Sequence, residues 1–308
     1  MEATPRMENI RGIALMTAAM FGFAIEDALV KTLSVTMPVG QILILLGLGG
    51  ALIFGGIAWA QGTKLITRDL LDPLMLTRNL GEMFGTMAFV SALALSPMSL
   101  VAAIVQAMPL MVTMGAALFL GAPVGWRRWS AIIIGFIGVL IIIRPGTAEF
   151  DIGAVLALLG GTGLTARDLA TRVMPAKYSS MQLSCYGFFA VVPAGLLLWA
   201  FSGGAFAPQS PEVIRLAAAL LAGVMGYYAL TLSMRMGDIS VITPFRYSRL
   251  LFALILGAIV FGERPDASML TGSAIVISAG LYTLIREARL ARAAQQAQST
   301  LSSDPTSR

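Results

Sequence analysis

The chain alternates between long apolar runs and short polar breaks. A helix that crosses the hydrocarbon core of a bilayer, about 30 Å thick, needs about 20 mostly apolar residues. Ten runs are of that order: 12–33, 40–60, 73–95, 98–120, 129–144, 152–173, 181–201, 212–234, 239–262 and 267–286. The breaks carry turn chemistry, as in Met37-Pro38, Leu95-Ser96-Pro97, Gly121-Ala122-Pro123, Arg144-Pro145-Gly146, Gly203-Gly204 and Gly262-Glu263-Arg264-Pro265. Glu26, Asp27 and Lys31 interrupt the first run, and no small-residue cleavage site follows it, so it predicts a retained helix rather than a signal peptide. The pattern predicts an all-α integral membrane protein with ten transmembrane helices.

Composition agrees. Of 308 residues, 57% are hydrophobic and 12% charged, where a soluble domain carries about 25% charged. Disorder, nucleic-acid binding and a secreted disulfide scaffold are excluded, and the lone Cys185 has no internal partner. The net charge of +5 resides largely in loops. Arg6 and Arg11, Lys64 and Arg68, Arg127 and Arg128, Arg172 and Lys177, Arg235, and Arg286, Arg289 and Arg292 fall at one end of the spans. The alternate loops hold little beyond Arg144 and Arg264. The positive-inside bias therefore predicts an inner-membrane protein with both termini cytoplasmic. With no histidine there is no imidazole metal site, triad or proton relay, and no metal or cofactor is expected. No Gly-Lys-Ser/Thr phosphate loop supplies a nucleotide-driven motor.

A displacement of 141 residues brings landmarks together. Gly12 meets Gly153, Gly22 meets Gly163, Asp27 meets Asp168, Lys31 meets Arg172, Gln41 meets Gln182, Gly85 meets Gly226, Ser99 meets Ser240 and Gly121 meets Gly262. Each half holds five spans, an odd number, so the second half enters the membrane the other way up. Such inverted repeats are typical of secondary transporters, whose substrate sites lie near the midplane where the halves meet. The expected organisation is an N-terminus over 1–11, a first repeat over 12–144, a connecting loop over 145–151 and a second repeat over 152–286. A tail over 287–308 begins helical and ends disordered.

The stretch from Gly135 to Gly146 (GFIGVLIIIRPG), preceded by Leu120-Gly121-Ala122-Pro123, resembles the end of the first repeat in the EamA family of the drug/metabolite transporter superfamily. Phe261-Gly262-Glu263-Arg264-Pro265-Asp266 resembles the counterpart turn of the second repeat, whereas Ala122 stands in the first repeat where Glu is common. The resemblance covers about residues 10 to 286. It implies a ten-helix carrier that works by alternating access without ATP hydrolysis. Members carry amino acids, nucleotide-like or sugar-like metabolites, S-adenosylmethionine and vitamins. Thr243-Pro244-Phe245-Arg246-Tyr247 and Trp126-Arg127-Arg128-Trp129 are similar to motifs of the S-adenosylmethionine carriers.

Charges at membrane depth cost at least ~2.5–3.5 kcal/mol each and face a cavity or a partner. Asp27 with Lys31, and Asp168 with Arg172, lie four apart, and intrahelical ion pairs are the simplest reading. Glu26 and Arg167, matched across the repeat with opposite sign, can pair between the halves as a gate. A carboxylate there can instead carry a coupling proton. Asn79 and Glu82 sit in span three with a cavity-facing role, while Arg78 is expected to snorkel to the surface. Arg246 and Arg249 lie three apart in span nine, where guanidinium groups suit a carboxylate or phosphate; pairing with Glu82 or Glu26 is the alternative. Gln106 and Tyr247 occupy matching repeat positions, and Tyr227 and Tyr228 offer rings for stacking. Gly81 and Gly85 form a close-packing face.

These residues point to a secondary carrier for a small polar or zwitterionic metabolite such as an amino acid or S-adenosylmethionine, acting as a monomer or homodimer and not as an enzyme. Protons are a candidate coupling ion. A channel, an intramembrane enzyme, and a vitamin or drug exporter are the competing readings.

Overall fold

The computed structural model describes residues 5–302 apart from 148, 149, 176, 203, 205, 206, 235, 237 and 238. Arg235 and Gly203 lie outside the described residues, as do the side chains of Arg6, Arg68, Ser240 and Arg292. Among the described residues the structure is helical throughout, without strands. The helices are α1 Pro5–Leu33, α2 Val39–Ala60, α3 Pro73–Leu95, α4 Met98–Val105, α5 Met108–Phe119, α6 Trp126–Ile143, α7 Ile152–Arg172, α8 Ser180–Ser202, α9 Ser210–Ser233, α10 Ile239–Ile242, α11 Ser248–Phe261 and α12 Ala267–Ser302. A 3-10 turn covers Arg68–Leu71 and another covers Thr243–Tyr247.

The boundaries follow local chemistry. Asp72 caps α3 by accepting from Leu74 N at 2.9 Å, with Pro73 at the first helical position. Asp151 caps α7 by accepting from Gly153 N at 2.8 Å. The ends of α5 and α11 are copies of one another. Gly121 and Gly262 both adopt φ +64°, which glycine tolerates without a Cβ clash. The next amides, of Ala122 and Glu263, bond six residues back to Ala116 O at 3.0 Å and Gly257 O at 3.0 Å. Near the C-terminus α12 runs to Ser302, so helix extends through much of the tail expected to be disordered. Its Ala, Arg and Gln residues are good helix formers.

Nine helical segments among the described residues are long and apolar enough to cross a membrane, one of them α4 and α5 taken together over Met98–Phe119. The tenth pass is α3, with 23 residues and Arg78, Asn79 and Glu82 among them. Its length suffices, and its polar residues are what set it apart.

Packing obeys the repeat. The principal neighbours are α1 with α9, α3 with α7, α2 with α8 and α6 with α12, while α4 touches α11 less extensively. Exchange of the two halves carries the first pair onto the second and each of the other two principal pairs onto itself, so the folded unit is the interface between the halves. Glycines set the closest approaches. A Cβ at Gly22 would lie 3.3 Å from Gly226 Cα, and one at Gly163 would lie 2.7 Å from Gly85 Cα. These two contacts are related by the repeat, and Gly81 and Gly85 do form the close-packing face, against α7. Buried Ala24, Leu93, Ile104, Ala157, Leu250 and Ala253 fill the core where the halves meet.

The fourth pass of each half is broken. Span four stops at Gln106 and restarts at Met108, with Pro109 in the first turn of α5. Span nine passes from α10 through the 3-10 turn, with Pro244, into α11. A proline removes a backbone donor and forces the local change. Interrupted helices inside a membrane protein are tolerated where protein covers the freed backbone groups.

Candidate functional site

The first polar cluster lies between α3, α7, α8 and α9, about two turns from the α3 N-terminus. Arg167 on α7 donates to both carboxylate oxygens of Glu82 on α3, at 3.1 and 3.2 Å, and pairs with Asp168 at 2.8 Å. Thr86 donates to Glu82 Oε1 at 3.2 Å. Arg78, one turn before Glu82, is only 3% exposed. The snorkelling expectation is thereby corrected: close packing of α7 and α8 on α3 covers the side chain before it can reach the surface. Arg78 Nη1 donates to Asn79 Oδ1 at 3.0 Å, and its Nε is buried without a hydrogen-bond partner. Tyr227 of α9 is close enough to feel both Arg78 and Arg167, and its ring meets Phe54 edge-on at 5.4 Å.

The second cluster joins α1 to α11. Arg249 grips Asp27 from two nitrogens, Nη2 at 2.7 and 3.0 Å and Nε at 3.2 Å. Its guanidinium lies 5.4 Å from the ring centroids of both Phe23 and Phe89, a favourable placement for a cation. Glu26 stands beside this pair, against Gly223 of α9; a Cβ on that glycine would come within 2.5 Å of its carboxylate. Asp27 and Asp168 form ion pairs with residues other than those the i, i+4 spacing suggests. Asp27 turns across to Arg249 because an i, i+4 lysine would compete with a bidentate guanidinium from a packed neighbour. Asp168 pairs with adjacent Arg167 at 2.8 Å, and Arg172 stands at the last position of α7. The expected Glu26–Arg167 pair is not formed either, since Arg167 lies in the α3–α7 seam and Glu26 in the α1–α9 seam. Arg249 pairs with Asp27 rather than with Glu82 or Glu26.

The two helix breaks touch. Gln106 Nε2 donates to the Tyr247 carbonyl at 3.2 Å, across the 141-residue displacement. A carbonyl freed at one break is thus satisfied by the side chain at the other. The Tyr247 hydroxyl is buried without a partner and rests against Gly280 of α12. Arg246, half-buried in the 3-10 turn, makes no ion pair with any described residue. Tyr228 is 52% exposed and takes no part in these clusters.

At the end opposite the termini the polar groups are consumed by structure. Glu263 accepts from Met98 N at 2.6 Å and from Ser99 N at 2.9 Å and Ser99 Oγ at 2.6 Å, capping α4. Lys31 donates to Leu93 O at 3.1 Å and also to Ser96 O, and Ser96 Oγ donates to Asp151 at 2.8 Å. Arg144, left-handed at the end of α6, pairs with Asp266. The Met269 amide, at 2.7 Å from Oδ1, and the Arg144 guanidinium hold the Asp266 carboxyl below the usual carboxylate range. A cleft of about 310 Å³ opens here between Ser99, Arg144, Asp151, Glu263 and Asp266.

The structure therefore gathers Asn79, Glu82, Arg167, Asp168 and Tyr227 in one cluster, and Glu26, Asp27 and Arg249 in a second. Gln106 and Tyr247 meet at the seam between breaks, while Lys31 belongs to the far end. Sequence reasoning missed Arg78, Phe23, Phe89 and the capping role of Glu263. A signal for Arg78 was present, since it is four residues from Glu82 and shares its helix face.

Comparison with known proteins accords with this geometry. The model of the EamA-like transporter family matches residues 10–144 and again 151–285. An S-adenosylmethionine uptake transporter of Rickettsia bellii is 26% identical over 68% of this chain and 72% of its own length. A riboflavin transporter of Rhizobium johnstonii is 30% identical over 70% of this chain and 72% of its own. A pseudopaline exporter of Pseudomonas aeruginosa is 23% identical over 87% and 94%. One crystal structure superposes with a TM-score of 0.62 at 16% identity, over 91% of this chain and 98% of its own, a likeness of fold.

Proposed function

Because the chain belongs to the EamA-like transporter family, we propose that it is an inner-membrane secondary carrier, both termini cytoplasmic, for a small polar or zwitterionic metabolite such as an amino acid or S-adenosylmethionine. The observation that carries this reading is the contact of the two broken helices, Gln106 with the Tyr247 carbonyl, between halves of opposite orientation. Rocking of one half against the other must pass through that contact, which is a single neutral hydrogen bond and costs little to remake. The glycine-lined seams on either side keep the halves close without large side chains to interlock.

The substrate sits near the seam, with Asn79, Glu82, Gln106 and Tyr227 within its reach. Arg246, free of an acidic partner among the described residues, is the candidate for its anionic group among the arginines of span nine. Arg249 is engaged by Asp27 and holds α11 against α1. Glu26 is the candidate for a coupling proton, since no described cation binds its carboxylate directly. Relatives named for S-adenosylmethionine uptake support the zwitterion; the relative named for riboflavin supports a vitamin as the second choice.

Purified protein in sealed vesicles tests this. Labelled S-adenosylmethionine entering against a load of unlabelled compound, saturably and by exchange, is the expected result. Flux that rises linearly with concentration and shows no exchange belongs to a channel. Conversion of the compound inside the vesicle belongs to an enzyme, and either outcome overturns the carrier. An imposed proton gradient should drive accumulation in the wild type and fail to do so in Glu26→Gln.

A further inference from the structure

Spans four and nine are tied to each other at two levels. At their breaks, Gln106 reaches the Tyr247 carbonyl. At the far end, about 12 Å away along the eight residues of α4, Glu263 of the α11–α12 turn reaches the start of α4. Its carboxylate accepts from Met98 N at 2.6 Å, from Ser99 N at 2.9 Å and from Ser99 Oγ at 2.6 Å. Glu263 belongs to the second half and α4 to the first, so these bonds join the halves. Pro97, which precedes α4, supplies no side-chain cap, and the first amides of the helix depend on a residue of the other half. Hydrogen bonds to an ionised carboxylate are stronger than neutral ones. The cleft of about 310 Å³ opens directly on them, with Ser99 and Glu263 in its wall.

The repeat has not copied this tie. The 141-residue displacement carries Glu263 onto Ala122 and Gly257 onto Ala116. The turn itself is the same in both halves: Glu263 N bonds to Gly257 O and Ala122 N to Ala116 O, each at 3.0 Å. What differs is a pair of side chains. A Cβ at Gly257 would lie 2.6 Å from Glu263 Oε2, so the glycine makes room for the carboxylate. In the first half buried Ala116 puts a methyl group at the matching position, and Ala122 has no carboxylate to place beside it. Packing follows the same division. At the far end α4 lies against α11, whereas their counterparts, the α10 and 3-10 segment and α5, pack together less among the described residues.

We infer that Glu263 is a one-sided clamp: it holds α4 to α11 and shuts the path at the end opposite the termini, while the end that bears the termini lacks the clamp and opens more readily. The empty carrier therefore rests accessible from the side of its termini, and a solute meets the empty site from there. This deepens the carrier reading and rests on it. Opening the far end breaks three hydrogen bonds to one carboxylate, and the corresponding parting of α5 from α10 breaks none to the side chain at 122.

Single-cysteine proteins in oriented membranes test the clamp, in the background Cys185→Ser. Ala253→Cys, at a buried position of α11, reports the parting of α4 from α11, and Val112→Cys, at its counterpart on α5, reports the other end. The readout is the rate of labelling by a membrane-impermeant maleimide added from either side. Glu263→Ala should raise labelling at position 253 from the side opposite the termini by roughly tenfold. It should lower labelling at position 112 from the side of the termini. Gly257→Ala keeps the carboxylate and crowds it, so both rates should move the same way by a smaller factor, and this variant decides the matter if Glu263→Ala does not fold. Opposite changes at the two ends mark a shifted equilibrium, since a general loosening of the helices raises both rates. Unchanged rates, or a rise at both positions, overturn the clamp. In either of those cases saturable exchange in vesicles can still stand, and the carrier reading with it. Absence of saturable exchange of any solute by the wild type overturns the carrier reading whatever Glu263 holds.

Discussion

The α3–α7 seam and the α1–α9 seam are one backbone contact used twice, with different electrostatics laid over it. Both are built on facing glycines, Gly85 with Gly163 in the first and Gly226 with Gly22 in the second. In the α3–α7 seam, Arg167 meets Glu82 at 3.1 Å and the charges cancel. At the equivalent place in the α1–α9 seam, Glu26 meets Gly223, and the neighbouring Arg249 is held by Asp27. Repetition has kept the packing and let the charges diverge. A glycine contact depends on backbone approach and tolerates few alternatives, whereas a buried charge needs only some partner within reach. One seam is therefore closed by an ion pair, and the other holds a carboxylate that makes no ion pair among the described residues.

The largest effect on that contrast should come from Asp27→Ala. It strips a 7%-exposed carboxylate from Arg249 and leaves the guanidinium between two phenyl rings, a loss of about 3–5 kcal/mol. Unfolding of the detergent-solubilised protein measures it. The double variant Asp27→Ala with Arg249→Met should recover most of the loss, and no recovery would show that the pair is not the link between α1 and α11.

A smaller effect separates the seams themselves. Gly85→Ala would press its methyl against Leu164 N at 2.7 Å and should cost about 1–3 kcal/mol. Gly22→Ala finds its nearest neighbour, Ala222 O, at 3.1 Å and should cost less. Equal losses in the same unfolding assay would mean that the α1–α9 seam is packed as tightly as its partner.

The smallest effect concerns the far end. Asp266 has a folded-state carboxyl below the ordinary value, so its bonds to the Met269 amide and Arg144 contribute stability above that value. The contribution fades as pH falls from about 4 through the lowered one. The side chain is 54% exposed, so solvent screens the increment. Asp266→Asn should flatten the acid limb of the stability profile by a small amount. An unchanged limb would assign acid sensitivity to other carboxylates.

Much of the architecture was legible in the order of residues. Ten passes follow from apolar run lengths, because a bilayer sets the length a helix must have. The inverted repeat follows from one displacement that aligns turn residues, span boundaries and an i, i+4 acid–base pair. Gln106 and Tyr247, matched by counting alone, touch in space. The family resemblance rested on turns such as Gly262-Glu263, whose carboxylate caps α4 at 2.6 Å from Met98 N.

Sequence spacing did not determine which charge meets which. Counting four residues along a helix pairs Asp27 with Lys31 and Asp168 with Arg172, whereas the ion pairs given by the described residues join Asp27 to Arg249 and Asp168 to Arg167. The two carboxylates find other partners: Asp27 meets Arg249 of a packed neighbour, whose bidentate guanidinium outcompetes a flexible lysine, and Asp168 meets adjacent Arg167. Nor did spacing show that Arg78, near a helix end, is covered by α7 and α8, with a buried Nε that has no hydrogen-bond partner. Apolar periodicity and turn residues are local properties that each stretch of chain carries with it. Charge partnership and burial depend on which helices lie side by side, and only the tertiary structure fixes that.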